Sequence, residues 1–348
     1  MLKRRLYCIH MLHIGSLKVK SNLILAPMSG VSDLPFRLLN RRFGCELAFV
    51  EMINVRGLGY KSMKTEHLLT TTDQDKPLGV QLLAGEEKWL KRGLDILKKY
   101  HYDILDFNAA CPARKVTRRG EGASLLKDPK KLQGLLAVIV KTSKVPVTVK
   151  IRSGWDKNTI NAVEVAKACQ DAGIQALFIH GRTKTQEYSG QVDYTVIHAV
   201  KKALQIPVIA SGDVFSAQLA KKMFDETGCD GILVARGAFG NPWIFQEIPF
   251  FLKHGKVPVR TGVDAIVDTM VEHYKGCIDF YTPRVSVSIF RKFFGWYTKG
   301  FRGIRPLREK SNSVKTAEGM LQIIEKCRGY AVSPVRQSHI HDTACTQE

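Results

Sequence analysis

The chain has 348 residues, enough to bury a large core, and 53 Lys and Arg against 32 Asp and Glu give a formal net charge of +21. Such an excess points to a polyanionic partner, nucleic acid or an acidic membrane. The longest purely apolar runs, such as Leu135 to Val140, are far too short to cross a bilayer, so nucleic acid is the favoured partner and no membrane is expected.

Eight cysteines (Cys8, Cys45, Cys111, Cys169, Cys229, Cys277, Cys327 and Cys345) form no C-x-x-C pair and no zinc-like Cys/His spacing. Reduced thiols in the cytoplasm are expected, with no metal site. Lys3, Arg4 and Arg5 precede an apolar stretch that is short, holds His10 and His13 and lacks a small-residue cleavage site, so no export is expected. Met11 is a second plausible start, and residues 1–13 are read as an N-terminal extension.

The first strand is expected over Leu23 to Met28, followed by a helix that Ser32 or Asp33 caps, with Pro35 in its first turn and Gly44 at its end. Leu47 to Met52 is the second strand, and Asn54 to Asp75 reads as an irregular connection with some helix. The third strand, Leu78 to Leu83, carries Gln81, whose amide must find partners inside an apolar run. Ile104 to Asn108 is the fourth, Val147 to Ile151 the fifth with Lys150 inside it, and Ala176 to His180 the sixth. Pro207 to Ala210 and Gly231 to Val234 complete the set, each followed by a glycine-bearing turn. Helical patterns separate the strands, as at Leu132, Leu135, Leu136, Ile139 and Val140, which share one face.

Eight short apolar strands alternating with helices predict an α/β fold, a (β/α)8 TIM barrel over residues 14–251. Polar residues gather at or just after the strand C-termini, where such barrels place their active sites: Met28, Glu51, Gln81, Asn108 with Cys111, Lys150, His180, Gly212 and Arg236. The loop after the fourth strand holds Cys111 beside Arg114, Lys115, Arg118 and Arg119, against the single acid Glu121. A lone cysteine is more often a small buried hydrophobe than a catalyst, but a thiol at a strand end beside clustered positive charge is the setting in which it becomes reactive.

Residues 252–262 read as a linker, 263–330 as a smaller all-helical C-terminal domain, and 331–348 as a disordered tail. Between Arg284 and Lys315 nine cations stand against Glu309 alone, with six aromatics interleaved. Ile289, Phe293 and Trp296 are spaced for a buried helix face, and Lys292 and Lys299 share another. The aromatics are expected in the core, with Tyr297 as a candidate exception, and the cations on phosphate.

Taken together, the ordered motifs resemble the tRNA-dihydrouridine synthases, in particular their DusB-like branch. The resemblance runs from Ile14 to Lys326 and is carried by Leu25-Ala-Pro-Met-Ser-Gly-Val-Ser-Asp-Leu-Pro-Phe-Arg, Val80-Gln-Leu, Asn108 with Cys111-Pro and Lys115-Val, Val149-Lys-Ile-Arg, His180-Gly-Arg-Thr, Tyr188-Ser-Gly, Gly212-Asp, Ala235-Arg-Gly and Gly240-Asn-Pro-Trp. It implies FMN as cofactor, NADPH as reductant, and reduction of the C5–C6 double bond of a D-loop uridine in tRNA, with no obligatory protein partner. By that resemblance Cys111 gives a proton to C5. Pro27, Met28, Gln81, Lys150 and His180 meet the flavin, and Gly212, Asp213, Ala235, Arg236 and Gly237 hold its phosphate. Asn108, Lys115 and Arg182 position the uracil, while Arg291, Lys292 and Lys299 bind the RNA.

Two residues depart from the family pattern. Ala110 stands where glycine is usual before the cysteine, which matters if the backbone there needs φ > 0; Ser211 stands where asparagine is usual before Gly-Asp. A dihydroorotate dehydrogenase-like barrel acting on a free pyrimidine is one alternative, and a non-catalytic tRNA-binding protein is another. Clustered cations argue against the first, since a small substrate gives no use for them.

Overall fold

A computed structural model describes residues 11–60, 62–258 and 262–332. Among the described residues the strands in chain order are β1 Leu12–Ile14, β2 Leu17–Val19, β3 Leu23–Leu25, β4 Leu47–Phe49, β5 Ile53–Asn54, β6 Leu78–Leu83, β7 Ile104–Asn108, β8 Val147–Arg152, β9 Ala176–His180, β10 Val208–Ser211 and β11 Gly231–Val234. β3, β4 and β6 to β11 pair in parallel, and the β4–β6 pairing closes them into an eight-stranded barrel. β5 continues the line of β4 and pairs with the C-terminal end of β6.

Alternation along the strands separates two cores. Leu105, Phe107, Val149 and Ile151 face outward to the ring of helices. Ile24, Leu47, Phe49, Ile104, Phe178, Ile209 and Leu233 fill the barrel interior, and Leu12, Ile14 and Val19 of the β1–β2 hairpin join that inner cluster. The hairpin precedes the first barrel strand and begins at Leu12, two residues ahead of the boundary expected at residue 14. Residues 1–10 of the expected extension lie outside the described residues.

Local chemistry sets the helix ends. Asp33 accepts the Phe36 N–H and Pro35 occupies the first turn of Leu34–Arg42; Asp128, Asp193 and Ser216 cap later helices in the same way. The segment expected as a linker is helical at its start, since Ile244–His254 runs into it. Helices Val263–Phe280, Pro283–Tyr297, Arg305–Ser313 and Ala317–Glu325 follow. Val332 bridges to Phe301, and the remainder of the expected tail, 333–348, lies outside the described residues.

The helical region packs on the barrel through rings. Phe36 stacks on Phe293 with centroids 5.6 Å apart, Phe239 stacks on Trp296 at 4.0 Å, and His273 sits edge-on to Phe290 and Phe293. Tyr297, the candidate exception among the aromatics, is only 1% exposed and its hydroxyl lies 3.2 Å from His273 Nδ1. It is core, not a surface platform.

Candidate active site at the barrel mouth

The site is built from the C-terminal ends of adjacent strands. β6, β7 and β8 place Gln81, Asp106 and Thr148 in one cross-strand row, and Asn108 beside Lys150 in the next. Interior positions of such barrels are filled by branched apolar side chains, so this polar sector is a local departure. Its hydrogen bonds are fully specified. Gln81 Nε2 donates to Asp106 Oδ2 at 2.7 Å, Thr148 Oγ1 donates to Asp106 Oδ1 at 2.7 Å, and Asn108 Nδ2 donates to Gln81 Oε1 at 2.8 Å.

Asn108 then shapes the cysteine loop, because its Oδ1 accepts the backbone N–H of Ala110 at 3.0 Å and of Cys111 at 2.8 Å. This is the Asx turn that lets a strand end sharply. Ala110 needs no glycine: the only described non-glycine residues with positive φ are Glu187 and Asp213. Cys111 is half-buried, whereas Cys45, Cys169, Cys229, Cys277 and Cys327 are buried. Burial raises its pKa above the ordinary thiol value, against smaller opposing pulls from the Ala113 N–H and from Arg152, Lys150 and Lys115. The thiol is therefore protonated at neutral pH. Arg114, Lys115, Arg118 and Arg119 are all exposed, and Arg119 donates to Glu121 at 3.1 Å.

Around it stand the half-buried Lys150 and the buried Arg152 and His180. Lys150 is lowered to about 8, by burial first and then by Arg152, and its ammonium has no hydrogen-bond partner among the described residues. Arg152, 2% exposed, donates to the carbonyls of Ala110 (2.8 Å), Thr183 (2.9 Å) and Glu187 (2.8 Å), and forms no ion pair among the described residues. Burial lowers it to about 10. His180 is held well below its usual pKa by burial and then by Arg152, Lys150, Arg182 and Arg236, so its ring is neutral.

The turns after β10 and β11 form the opposite wall. Gly212 has φ +126°, and a Cβ there would meet Val192 at 2.7 Å and His180 at 3.1 Å; at Gly237 a Cβ would fall 1.9 Å from the Val214 carbonyl oxygen. Only glycine fits either position. Asp213 adopts φ +50°, and its carboxylate accepts from Arg182 and, at 2.7 Å, from Arg236. Tyr188 lies beneath Arg236, 4.7 Å from guanidinium to ring centroid.

These contacts revise several expected roles. The Asp213 carboxylate is committed to two arginines and braces the wall, leaving its backbone as the part that can face a phosphate. Arg182, 1% exposed, donates to the Ser189 and Gly190 carbonyls as well as to Asp213, so it holds the loop and is not free to read a base. Lys292 is turned inward onto the Gly30 carbonyl, near Asp33 and Glu51, and Arg291 donates to the Val314 carbonyl at 2.9 Å. Lys299 is exposed. Ser211 donates to the Ile179 carbonyl at 3.2 Å, a bond that needs only its hydroxyl.

A model of the dihydrouridine synthase family matches residues 24–331, spanning both the barrel and the helical region. The chain belongs to the dihydrouridine synthase family. A probable tRNA-dihydrouridine synthase of Rickettsia conorii is 38% identical over 314 residues, covering 88% of this chain and 94% of the relative. The tRNA-dihydrouridine synthase B of Pseudomonas aeruginosa is 37% identical over 305 residues, covering 88% and 92%. Histamine dehydrogenase from Rhizobium sp. 4-9 superposes with a TM-score of 0.55 at 13% identity, covering 77% of this chain and 50% of that one; the likeness concerns the fold alone. As a member of the family this chain is an oxidoreductase on a TIM-barrel scaffold. No helix among the described residues is long and apolar enough to cross a membrane.

Two residues of this barrel mouth escape sequence reasoning. Asp106 sits inside the run Ile104 to Phe107, where one carboxylate does not disturb the apolar pattern. Arg152 ends β8 within Val149-Lys-Ile-Arg, and only the fold shows that it ties the cysteine loop to the turn after β9. An arginine at interior parity with Lys150, two residues on, was the available signal.

Proposed function

We propose that the chain reduces the C5–C6 double bond of a D-loop uridine in tRNA to 5,6-dihydrouridine, with FMN as cofactor, NADPH as reductant and Cys111 as proton donor. The observation that carries this reading is the half-buried, protonated Cys111 thiol on a mouth lined by Lys150 and Arg152, neither of them ion-paired among the described residues. The residues present fit a flavin mononucleotide. The glycine-bearing turns at Gly212 and Gly237 leave no room for a Cβ and let backbone amides approach a phosphate, with Arg236 beside them. Lys150, with no acceptor of its own, can offset negative charge on a reduced ring, and Gln81 and Asn108 each keep one amide hydrogen to offer.

When bound, reduced FMN supplies hydride to C6 of the uracil. Cys111 holds the proton at Sγ and gives it to C5, and the resulting thiolate is stabilised by Lys150 and Arg152 until solvent returns a proton. An ordinary carboxylic acid is already ionised at neutral pH, whereas a raised thiol is not. A stacked base cannot enter a barrel mouth, so the uridine must leave the RNA stack. The exposed Arg114, Lys115, Arg118 and Arg119 and the exposed cations of the helical region supply charge for the RNA backbone.

Mass-spectrometric mapping of tRNA from cells with and without the gene tests the proposal. The expected result is the loss of dihydrouridine from one or more D-loop positions in its absence, restored by the wild-type gene. Unchanged dihydrouridine at every position, in cells with no second enzyme of this family, overturns it.

A further inference from the structure

Asp106 has no part in the chemistry above, yet it is 2% exposed in the barrel interior and is pushed up to about 6, chiefly by burial. A buried carboxylate is a costly choice where a leucine or valine would pack well. Its surroundings show what it does. The strand register sets Gln81 and Thr148 on either side of it, and both donate to it. An ionised carboxylate accepts only, so of the two ends of the Gln81 amide only the NH2 end can face it. Gln81 Oε1 is thereby turned to Asn108 Nδ2, and Asn108 Oδ1 is turned to the backbone N–H groups of Ala110 and Cys111.

We propose that Asp106 is a positioning residue: through Gln81 and Asn108 it sets the direction of a hydrogen-bond chain that ends on the backbone of Cys111 and so fixes the thiol and the amide hydrogens offered at the barrel mouth. Asp106 touches neither Asn108 nor Cys111 by any described bond; it acts through Gln81. The chain runs one way from end to end, since a pure acceptor closes it at one side and two pure donors close it at the other. Polarity, not charge, is what the chain needs. An asparagine at 106 can turn its oxygen to Gln81 and its NH2 to Thr148, whose hydroxyl rotates to accept, so every bond survives. A leucine leaves the Gln81 NH2 group buried and unpartnered.

The inference rests on the reading that Cys111 and Gln81 face the reacting centre, but it can be tested on the apoprotein without that reading. The full chain is compared as wild type, Asp106→Asn, Asp106→Leu and Gln81→Leu by the rate of Cys111 alkylation with iodoacetamide, followed by peptide mass spectrometry, and by fluorescence titration with FMN. Breaking the chain is expected to hydrate the thiol and speed alkylation of Cys111 about tenfold in Asp106→Leu and Gln81→Leu, with Asp106→Asn within about twofold of wild type. FMN affinity is expected to fall about tenfold in the two leucine variants and to be retained in the asparagine variant. Gln81→Leu keeps the Thr148 bond to Asp106 and so reads the chain even if Asp106→Leu does not fold. Wild-type alkylation in a folded leucine variant overturns the proposal, and so does an asparagine variant that behaves like the leucine ones. Changed alkylation with unchanged FMN titration keeps the positioning role and counts against the flavin assignment of Gln81.

Discussion

Two groups of cations in this molecule meet opposite environments. At the barrel mouth the half-buried Lys150 and the buried Arg152 are unpaired by acids among the described residues, with Arg152 held by three backbone carbonyls. In the helical region Arg284, Lys299, Lys310 and Lys315 are exposed, while Lys292 and Arg291 have turned into the protein. Buried cations without acids keep their charge for a ligand of fixed geometry, at a cost in desolvation. Exposed cations keep their hydration and suit a polyelectrolyte that gives up counterions. These cations thus fall into a small set fixed at the mouth and a diffuse exposed set, and sequence pattern alone does not say which cation belongs to which.

The largest expected effect breaks the mouth at its chemistry. Cys111→Ala is expected to lower single-turnover reduction of unmodified tRNA by about 10²–10⁴-fold, the usual contribution of a general acid, with FMN content unchanged. Full-rate reduction by the variant would remove the thiol from the reaction. Next, Arg152→Leu strips the carbonyls of Ala110, Thr183 and Glu187 of their donor, and each buried acceptor left bare costs about 1–3 kcal/mol. A drop in thermal midpoint together with poor FMN retention is expected, only partly repaired by Lys, which lacks the planar fork. A variant that melts like wild type and purifies with full flavin would show that the arginine is dispensable.

A smaller effect separates the two groups directly. Lys299→Ala is expected to flatten the slope of log K for tRNA against log salt by up to about one unit, whereas Lys292→Ala, whose ammonium sits on the Gly30 carbonyl, leaves the slope unchanged. Equal slopes for both variants would erase the distinction. Smallest is a stability effect at the seam between barrel and helices. His273 is buried among Phe36, Phe290, Phe293 and Tyr297, and burial lowers it to about 3. With a folded pKa below the unfolded value of about 6.5, the unfolded state takes up the extra proton, so stability is lost as pH falls from about 6.5 toward 3. Chemical denaturation of His273→Phe is expected to show a shallower loss over that window. An identical pH dependence would place the titration elsewhere.

Much of the barrel is legible in the sequence, because parallel strands buried on both faces read as short apolar runs. β6, β7, β9 and β11 fall at the expected bounds. β3 and β4 stop earlier than their apolar runs: Ala26 and Val50 still donate to Val234 and Gly79, and Pro27 to Met28 and Glu51 to Met52 then turn into loops at the mouth. The β1–β2 hairpin is too short to show a period, yet it joins the barrel's inner core. At the site, residue types and spacing point to Cys111, Gln81, Lys150 and His180, but not to what each touches. Arg182, Asp213 and Lys292 look like ligands in one dimension and are braces in three, because their partners lie in loops far away along the chain. Asp106 is hidden for the opposite reason, one carboxylate set among Ile104, Leu105 and Phe107 in a strand whose polar end is already marked by Asn108.

The pH dependence of single-turnover tRNA reduction tests the central claim most directly. Burial raises Cys111, and a general acid works only while protonated, so the rate is lost as pH rises through its pKa. The rate of proton-dependent reduction by the FMN-loaded enzyme is predicted to stay level through neutrality and to fall only above the ordinary thiol value of about 8.5, and Cys111→Ala should lose that limb. A fall centred below about 8.5, or one that persists in Cys111→Ala, would contradict the assignment of the proton to this thiol.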